Sequence, residues 1–322
     1  MSGIFRLIQE LRPSLIHAIT AKPNLYAGVA DLSATTASRA LVMDLARSQV
    51  VDLRYQAGSA AELEELLRSG KISVGLFIPE DFERRLLQPE RAAAQLLVDG
   101  SDTVVQGAAA RLAQPGRTSP YTDAPPRLEL RTFYNPERRS PVNTVPGLIG
   151  VILTMTMVLF TAVAIVRERE RGNLELLIAT PVRTLELMLA KIAPYVLIGL
   201  IQVSLILALG HLLFQVPIRG SLLDVYLVAL IFIVANLALG LAISTVARSQ
   251  FQAMQLTWFL LLPSILMSGF IFPFAGMPRP AQWIAEILPM THFMRLIRGV
   301  ALRGARLSEL TGEMAVLGVF IL

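Results

Sequence analysis

The chain has 322 residues, room for about two domains at ~150 residues each, and is 54% hydrophobic but only 16% charged. A soluble globular chain carries about 25% charged residues, so this balance, with a mean hydropathy of +0.57, excludes a disordered chain and points away from a cytosolic enzyme toward an integral membrane protein. The net charge of +5 includes only three lysines and no run of five basic residues, which is no nucleic-acid footprint.

Residues 1–25 read MSGIFRLIQELRPSLIHAITAKPNL. Ile4, Phe5, Ile8 and Leu11 give an amphipathic helix suited to a membrane surface. The longest uncharged run, Pro13–Ala21, has nine residues, short of the ~17 that a span needs. No signal-peptide pattern is present either.

Residues 26–141 carry most of the charge and predict an α/β domain. Short runs rich in Val, Ile and Leu alternate with helical patterns. The expected strands are Tyr26–Ala30, Val50–Tyr55, Ile72–Ile78, Ala94–Val98 and Arg127–Phe133. The expected helices are Thr35–Arg47, Ala60–Ser69, Glu80–Leu87 and Asp102–Leu112. Ser59 and Glu62 form a predicted reciprocal capping box, with Gly70 ending that helix. The alternation predicts a mostly parallel or mixed sheet covered by helices. Gln114–Pro126 holds four prolines and reads as an irregular loop.

Residues 142–322 predict an α-helical integral membrane domain. Four apolar runs reach the ~20 residues that cross a ~30 Å hydrocarbon core. They are about 146–166, 192–214, 222–247 and 252–275, and a partial one covers 310–322. Between the last two, about 277–306 holds prolines and interrupting Arg and Glu. It reads as a re-entrant or interfacial hairpin, since broken backbone at membrane depth must be shielded by protein. Pro194 and Pro263 are expected to kink their helices.

Several chemistries are absent. There is no cysteine, which excludes disulfides, thiolate catalysis and cysteine metal sites. His17, His211 and His292 are scattered. No phosphate-binding Gly-x-x-x-x-Gly-Lys loop occurs, and neither Gly-x-Ser-x-Gly nor His-Glu-x-x-His is found. No catalytic residue, metal or bound cofactor is therefore expected. The spans lack the buried carboxylates and histidines of ion-coupled transporters, so any uphill transport would draw its energy from a partner.

The first span runs into VRERERGNLELLIATP, residues 166–181. Gly172 can break the charged tract, residues 173–179 form a short amphipathic helix, and Thr180 and Pro181 suit the start of the next helix. Such a segment reads either as a solvated loop or as a rigid lever that docks on another protein.

Here the residues resemble a family. The tract with Glu168, Glu170, Gly172, Asn173, Glu175, Thr180 and Pro181 resembles the Glu-x-Gly-Thr-x-Glu…Thr-Pro signature of ABC-2 type transporter permeases, with Asn173 in place of Thr. The run Leu239–Gln250 (LGLAISTVARSQ) resembles the family's Gly-x-x-x-Ser-Thr end of a span. Leu262–Pro273 (LPSILMSGFIFP) resembles its Ser-Gly-x-x-x-Pro span. Leu288–Phe293 with Arg298 and Gly299 resembles its Leu-Pro-x-Thr…Arg-Gly re-entrant region. The likeness covers about Tyr26 to Leu322, and the large domain before the first full span matches the multidrug-exporter-like subclass.

The resemblance implies a permease subunit of an ATP-driven export system, located in the cytoplasmic (inner) membrane and crossing it several times. It implies a cytoplasmic ATP-binding subunit as partner, with ATP used there. A second permease copy or sister permease and a periplasmic adaptor are further expected partners. The 173–179 helix would couple to the ATPase, and the α/β domain would be extracytoplasmic. The positive-inside rule is silent, with six basic residues on either side. Since family members of this subclass open with a span, the expectation for this sequence is an incomplete form, which the apolar stretch ending at Leu322 fits.

Asn236, Gly240 and Ser244 share one helix face, for packing or for a translocation path. Ser268, Gly269, Thr291, His292 and Arg298 are the other candidate path or gate residues. Met254, Phe259, Leu266, Phe270 and Phe272 are either lipid-facing, core, or contacts for a lipophilic substrate. The expected cargo is lipophilic or amphipathic, because a charged solute would lack a counter-charge in these spans. The competing reading is a membrane-anchored ligand-binding or sensory protein without transport.

Overall fold

The computed structural model describes residues 25–48, 50–88, 90–113, 128–172, 184–272, 274 and 277–321. The N-terminal amphipathic segment, the proline-rich loop at 114–126 and the 173–179 helix with Thr180 and Pro181 lie outside them. The chain divides into two compact units, 1–139 with 273–282, and 140–272 with 283–322.

The first unit is built on five strands: β1 (Leu25–Asp31), β2 (Val51–Gln56), β3 (Val74–Ile78), β4 (Ala94–Asp99) and β5 (Leu128–Phe133). Their order is β2-β1-β3-β4-β5. Every pair is parallel except β3–β4, which is antiparallel, so the sheet is mixed. The connecting helices explain the exception. The 12 residues of α1 (Thr36–Arg47) rise about 18 Å and carry the chain back along a strand's length. The five residues of α3 (Phe82–Leu86) rise only about 7 Å, and β4 returns the opposite way.

Side chains alternate across the strands. Leu25 and Ala27 of β1 with Val74, Leu76 and Ile78 of β3 pack under Leu45 of α1, Phe82 of α3 and Ala109 of α4 (Thr103–Leu112). On the opposite face Ala30, Ile72 and Leu97 pack under Leu63 and Leu67 of α2 (Ala60–Arg68). The result is three layers.

Helix starts follow local chemistry. At Thr35 a reciprocal box forms: Ser38 N donates to Thr35 Oγ1 at 3.2 Å and Thr35 N to Ser38 Oγ at 3.0 Å. Ser38 Oγ also donates to Asp31 at 2.6 Å. The box predicted at Ser59 is only half made. Ser59 Oγ accepts from Glu62 N, but the Glu62 carboxylate accepts from Gly58 N at 2.7 Å, one residue before the expected donor. Gly70, at φ 74°, follows that helix in the left-handed region glycine tolerates.

The second unit holds α5 (Ser140–Glu170), α6 (Thr184–Phe214), α7 (Leu222–Val246), α8 (Gln250–Met267), α10 (Pro289–Ala301) and α11 (Thr311–Val319); α9 (Arg279–Glu286) precedes α10. Among the described residues three helices are long and apolar enough to cross a membrane: α5, the 190–214 part of α6, and α7. The fourth expected span, 252–275, is not among these three. Three glutamines lie in the first six residues of α8, which has only 18 residues and stops at Met267. Gly269, at φ 85°, then turns the chain, so the described residues 268–272 do not extend the helix.

Pro146, Pro194 and Pro263 all stand inside helices. The core joins Ile149, Leu153 and Met157 of α5, Phe232 and Ile233 of α7, and Phe293 and Ile297 of α10. Phe232 and Phe293 stack with centroids 4.0 Å apart.

Candidate functional site

The charged end of α5 is helical through Glu170 and stops where Gly172 takes φ 70°. Its side chains are tied within the chain. Glu168 forms an ion pair with Lys191 of α6. Arg169 donates to the carbonyls of Ser244 and Ala247 at the end of α7. Glu170 accepts from the backbone N and the side-chain amide of Gln250, which places a carboxylate at the positive N-terminus of α8. Glu168, Glu170 and Gly172 therefore form the base from which the 173–183 segment leaves. Asn173, Glu175, Thr180 and Pro181 fall outside the described residues.

Asn236, Gly240 and Ser244 face α5. A Cβ on Gly240 would sit 2.8 Å from Thr161 Cβ and 2.9 Å from the Val158 carbonyl oxygen. The missing side chain thus lets α5 and α7 approach to backbone contact. Asn236 is fully buried. Its amide donates to the Phe232 carbonyl at 2.9 Å, but its Oδ1 has no partner. Thr154 and Thr161 on α5 are also buried with unpartnered hydroxyls. This seam of uncharged, unsatisfied groups is unusual, because buried polar atoms are ordinarily paired. The threonines were missed from sequence, although their spacing of seven on one helical stripe was visible.

Between α5, α6 and α7 a cavity of about 200 Å³ is lined by Thr161, Ala164, Ile165, Ile192, Tyr195 and Leu241, with Glu168, Lys191 and Pro194 also at its wall.

The hairpin residues do not form one constellation. Arg298 donates to the Gly269 carbonyl at 3.1 Å, tying α10 to the turn after Ser268. Ser268 is buried as the last cap of α8. Thr291 is buried and its hydroxyl is unpartnered. His292 joins a charged group that sequence reading did not assemble. Its Nδ1 lies 2.5 Å from Glu313 Oε2 and its Nε2 lies 2.9 Å from the Glu286 carbonyl oxygen. Arg295 bridges the Glu286 and Glu313 carboxylates. The network ties α9, α10 and α11 together. The i, i+3 spacing of His292 and Arg295 was legible; the far partner Glu313 was not. Burial alone would lower the His292 pKa, but hydrogen bonds to Glu313 and the Glu286 carbonyl raise it above the usual value.

Met254, Phe259, Leu266 and Phe272 are exposed. Phe270 instead packs into the space that a side chain at Gly147 would need. Among the described residues no group of three or more His, Cys, Asp or Glu could hold a metal ion.

A bundle with three helices long and apolar enough to cross a membrane, a charged helix exit and a helical hairpin is the architecture of an integral membrane protein. The chain belongs to the ABC-2 family of transporter proteins, whose family model matches residues 14–322. It is 32% identical over 259 residues to the probable multidrug ABC transporter permease YbhS of Escherichia coli K12, covering 76% of this chain and 68% of that one. It is 29% identical over 260 residues to the probable multidrug ABC transporter permease YbhR of the same strain, covering 77% and 70%. A third relative, ABC transporter G family member 20 of Dictyostelium discoideum, is 30% identical over 175 residues, covering 54% of this chain and 24% of that one.

Proposed function

We propose that the chain is the permease subunit of an ATP-driven ABC export system that moves lipophilic or amphipathic compounds out across the cytoplasmic membrane. The carrying observation is the α5–α7 seam. It is uncharged, yet it holds buried Thr154, Thr161 and Asn236 groups without partners. Such a lining offers hydrogen bonds to a neutral polar function but no counter-charge to a small ion. The description of YbhS and YbhR as probable multidrug permeases supports the cargo class.

In this reading a cytoplasmic ATP-binding subunit docks on 173–181, with Asn173 and Glu175 as contacts. Glu168, Glu170 and Arg169 anchor that segment to α6, α8 and α7, so a push on it reaches three helices at once. A second permease copy or sister permease completes the pathway, the α/β unit lies outside the membrane, and a periplasmic adaptor is a further partner. Asn236, Gly240 and Ser244 line or border the path, and Ser268, Gly269, Thr291, His292 and Arg298 hold its outer gate.

The test is affinity purification of the tagged chain in detergent, with a co-purifying ATPase expected. Glu175→Lys should insert normally and lose stimulation of that ATPase. Susceptibility of a deletion strain to cationic dyes, detergents and bile acids reads the cargo. Normal resistance to all of them, together with failed export of a small anion, would overturn the cargo assignment.

A further inference from the structure

The cavity between α5, α6 and α7 has a composition that the export reading does not use. Its wall is apolar, from Ala164, Ile165, Ile192, Tyr195 and Leu241, and one ion pair, Glu168–Lys191, sits beside it. Both charged side chains keep about a quarter of their surface open, 30% for Glu168 and 24% for Lys191. At about 200 Å³ it is smaller than the roughly 300–1,000 Å³ of clefts that enclose a drug-sized molecule. It is of a size for one end of an alkyl chain.

We infer that this cavity is a binding site for a zwitterionic phospholipid of the surrounding bilayer, with an ethanolamine headgroup at the ion pair and an acyl chain in the apolar wall. The ion pair leaves complementary valences open. Lys191 has three N–H donors and uses one on Glu168 Oε2, while Glu168 Oε1 takes no partner among the described residues. The two remaining ammonium protons suit a phosphate, and the free carboxylate oxygen suits a primary ammonium. A lipid that brings both charges leaves the local sum at zero. An anionic lipid would satisfy Lys191 and face Glu168 with a second negative charge, an unfavourable contact at low dielectric.

One further group fits. Pro194 has no N–H to give the carbonyl of Ala190 one turn earlier. This leaves an acceptor beside Lys191 for the headgroup ammonium.

The site stands apart from the cargo assignment, since it needs only that α5 and α6 cross the membrane. Full-length protein is reconstituted in nanodiscs that contain a phosphatidylethanolamine with a diazirine in one acyl chain, irradiated, digested and analysed by mass spectrometry. Adducts are expected on the 161–168 and 191–195 stretches well above those on the exposed 211–214 stretch of α6. Lys191→Met, which keeps its bulk, should cut those adducts by about tenfold, the weight of one charge-assisted hydrogen bond, and Ala164→Trp, which fills the cavity, should cut them at least as far. Both variants are first checked for a monodisperse peak. Uniform labelling along α6, undiminished labelling in Ala164→Trp, or equal labelling by the matching phosphatidylglycerol would overturn the inference.

Discussion

Gly240→Ala tests the α5–α7 seam at its tightest point. Carbon atoms prefer about 3.5–4.0 Å, whereas the new methyl would start 2.8 Å from Thr161 Cβ and 2.9 Å from the Val158 carbonyl oxygen. The seam is short of room by about 1 Å. Neither neighbour can swing aside, because one is main chain and the other is bonded to it. The helices must therefore part, at an overpacking cost of about 1–3 kcal/mol. Alanine in place of glycine inside a helix returns about 1 kcal/mol of propensity. Gly318 on α11 separates these effects, because a Cβ there meets nothing within 4 Å. Gly318→Ala shows the propensity gain without the clash. Gly240→Ala is thus expected to fall below Gly318→Ala by about 1–3 kcal/mol in SDS titration of the detergent-solubilised protein, with a matching order of thermal midpoints. A Gly240→Ala protein as stable as Gly318→Ala would refute the close approach.

Further outcomes follow from other contacts. Asn236→Leu removes an unsatisfied buried acceptor, so the variant should be no less stable, and gain up to about 1–3 kcal/mol, while losing export if the amide meets cargo; destabilisation with export intact would contradict both parts. Gly172→Ala meets open space but keeps φ 70°, so it should cost about 1 kcal/mol from backbone conformation alone, with Gly172→Asn milder in the same melt. Arg295→Met leaves the Glu286 and Glu313 carboxylates without their shared cation; the group is partly exposed, so the expected loss is about 1–2 kcal/mol, below the 3–5 of a fully buried pair, read by thermal unfolding. His292 stands on the hairpin outside the three membrane-length helices, and its pKa is raised above the ordinary 6.5. Protonated His292 is favoured in the folded state, so its contribution is complete below pH 6.5 and is lost as pH rises through the raised value; melting temperature should fall over that range and His292→Asn should flatten the profile.

The strands and helices of the first unit were legible because each is local: period-2 runs of Val, Ile and Leu, and caps within three residues. The direction of β4 was not, since it depends on how far a five-residue helix can carry the chain. In the second unit, apolar length located α5, α6 and α7 well. It overran α8, where three early glutamines and Gly269 outweigh the apolar average. Inward faces were readable from small residues, as at Gly240. Partners distant in sequence were not, and so Glu168–Lys191 and His292–Glu313 emerged only with the fold. Glu170 reads as a charged surface residue from sequence, yet it serves the start of α8, 80 residues away.

Beyond Pro146, α5 continues for 24 residues without another proline or a glycine later than Gly150, a continuous helical run of about 36 Å. Mechanically this is a beam. A tilt of about 5° about its midpoint moves each tip roughly 1.6 Å, in opposite directions and at the same moment. At one tip the displacement loads the carbonyls of Ser244 and Ala247 through Arg169. At the other it shifts Gly147 beneath the Phe270 ring. A part with no joint along its length leaves its two ends no independent timing.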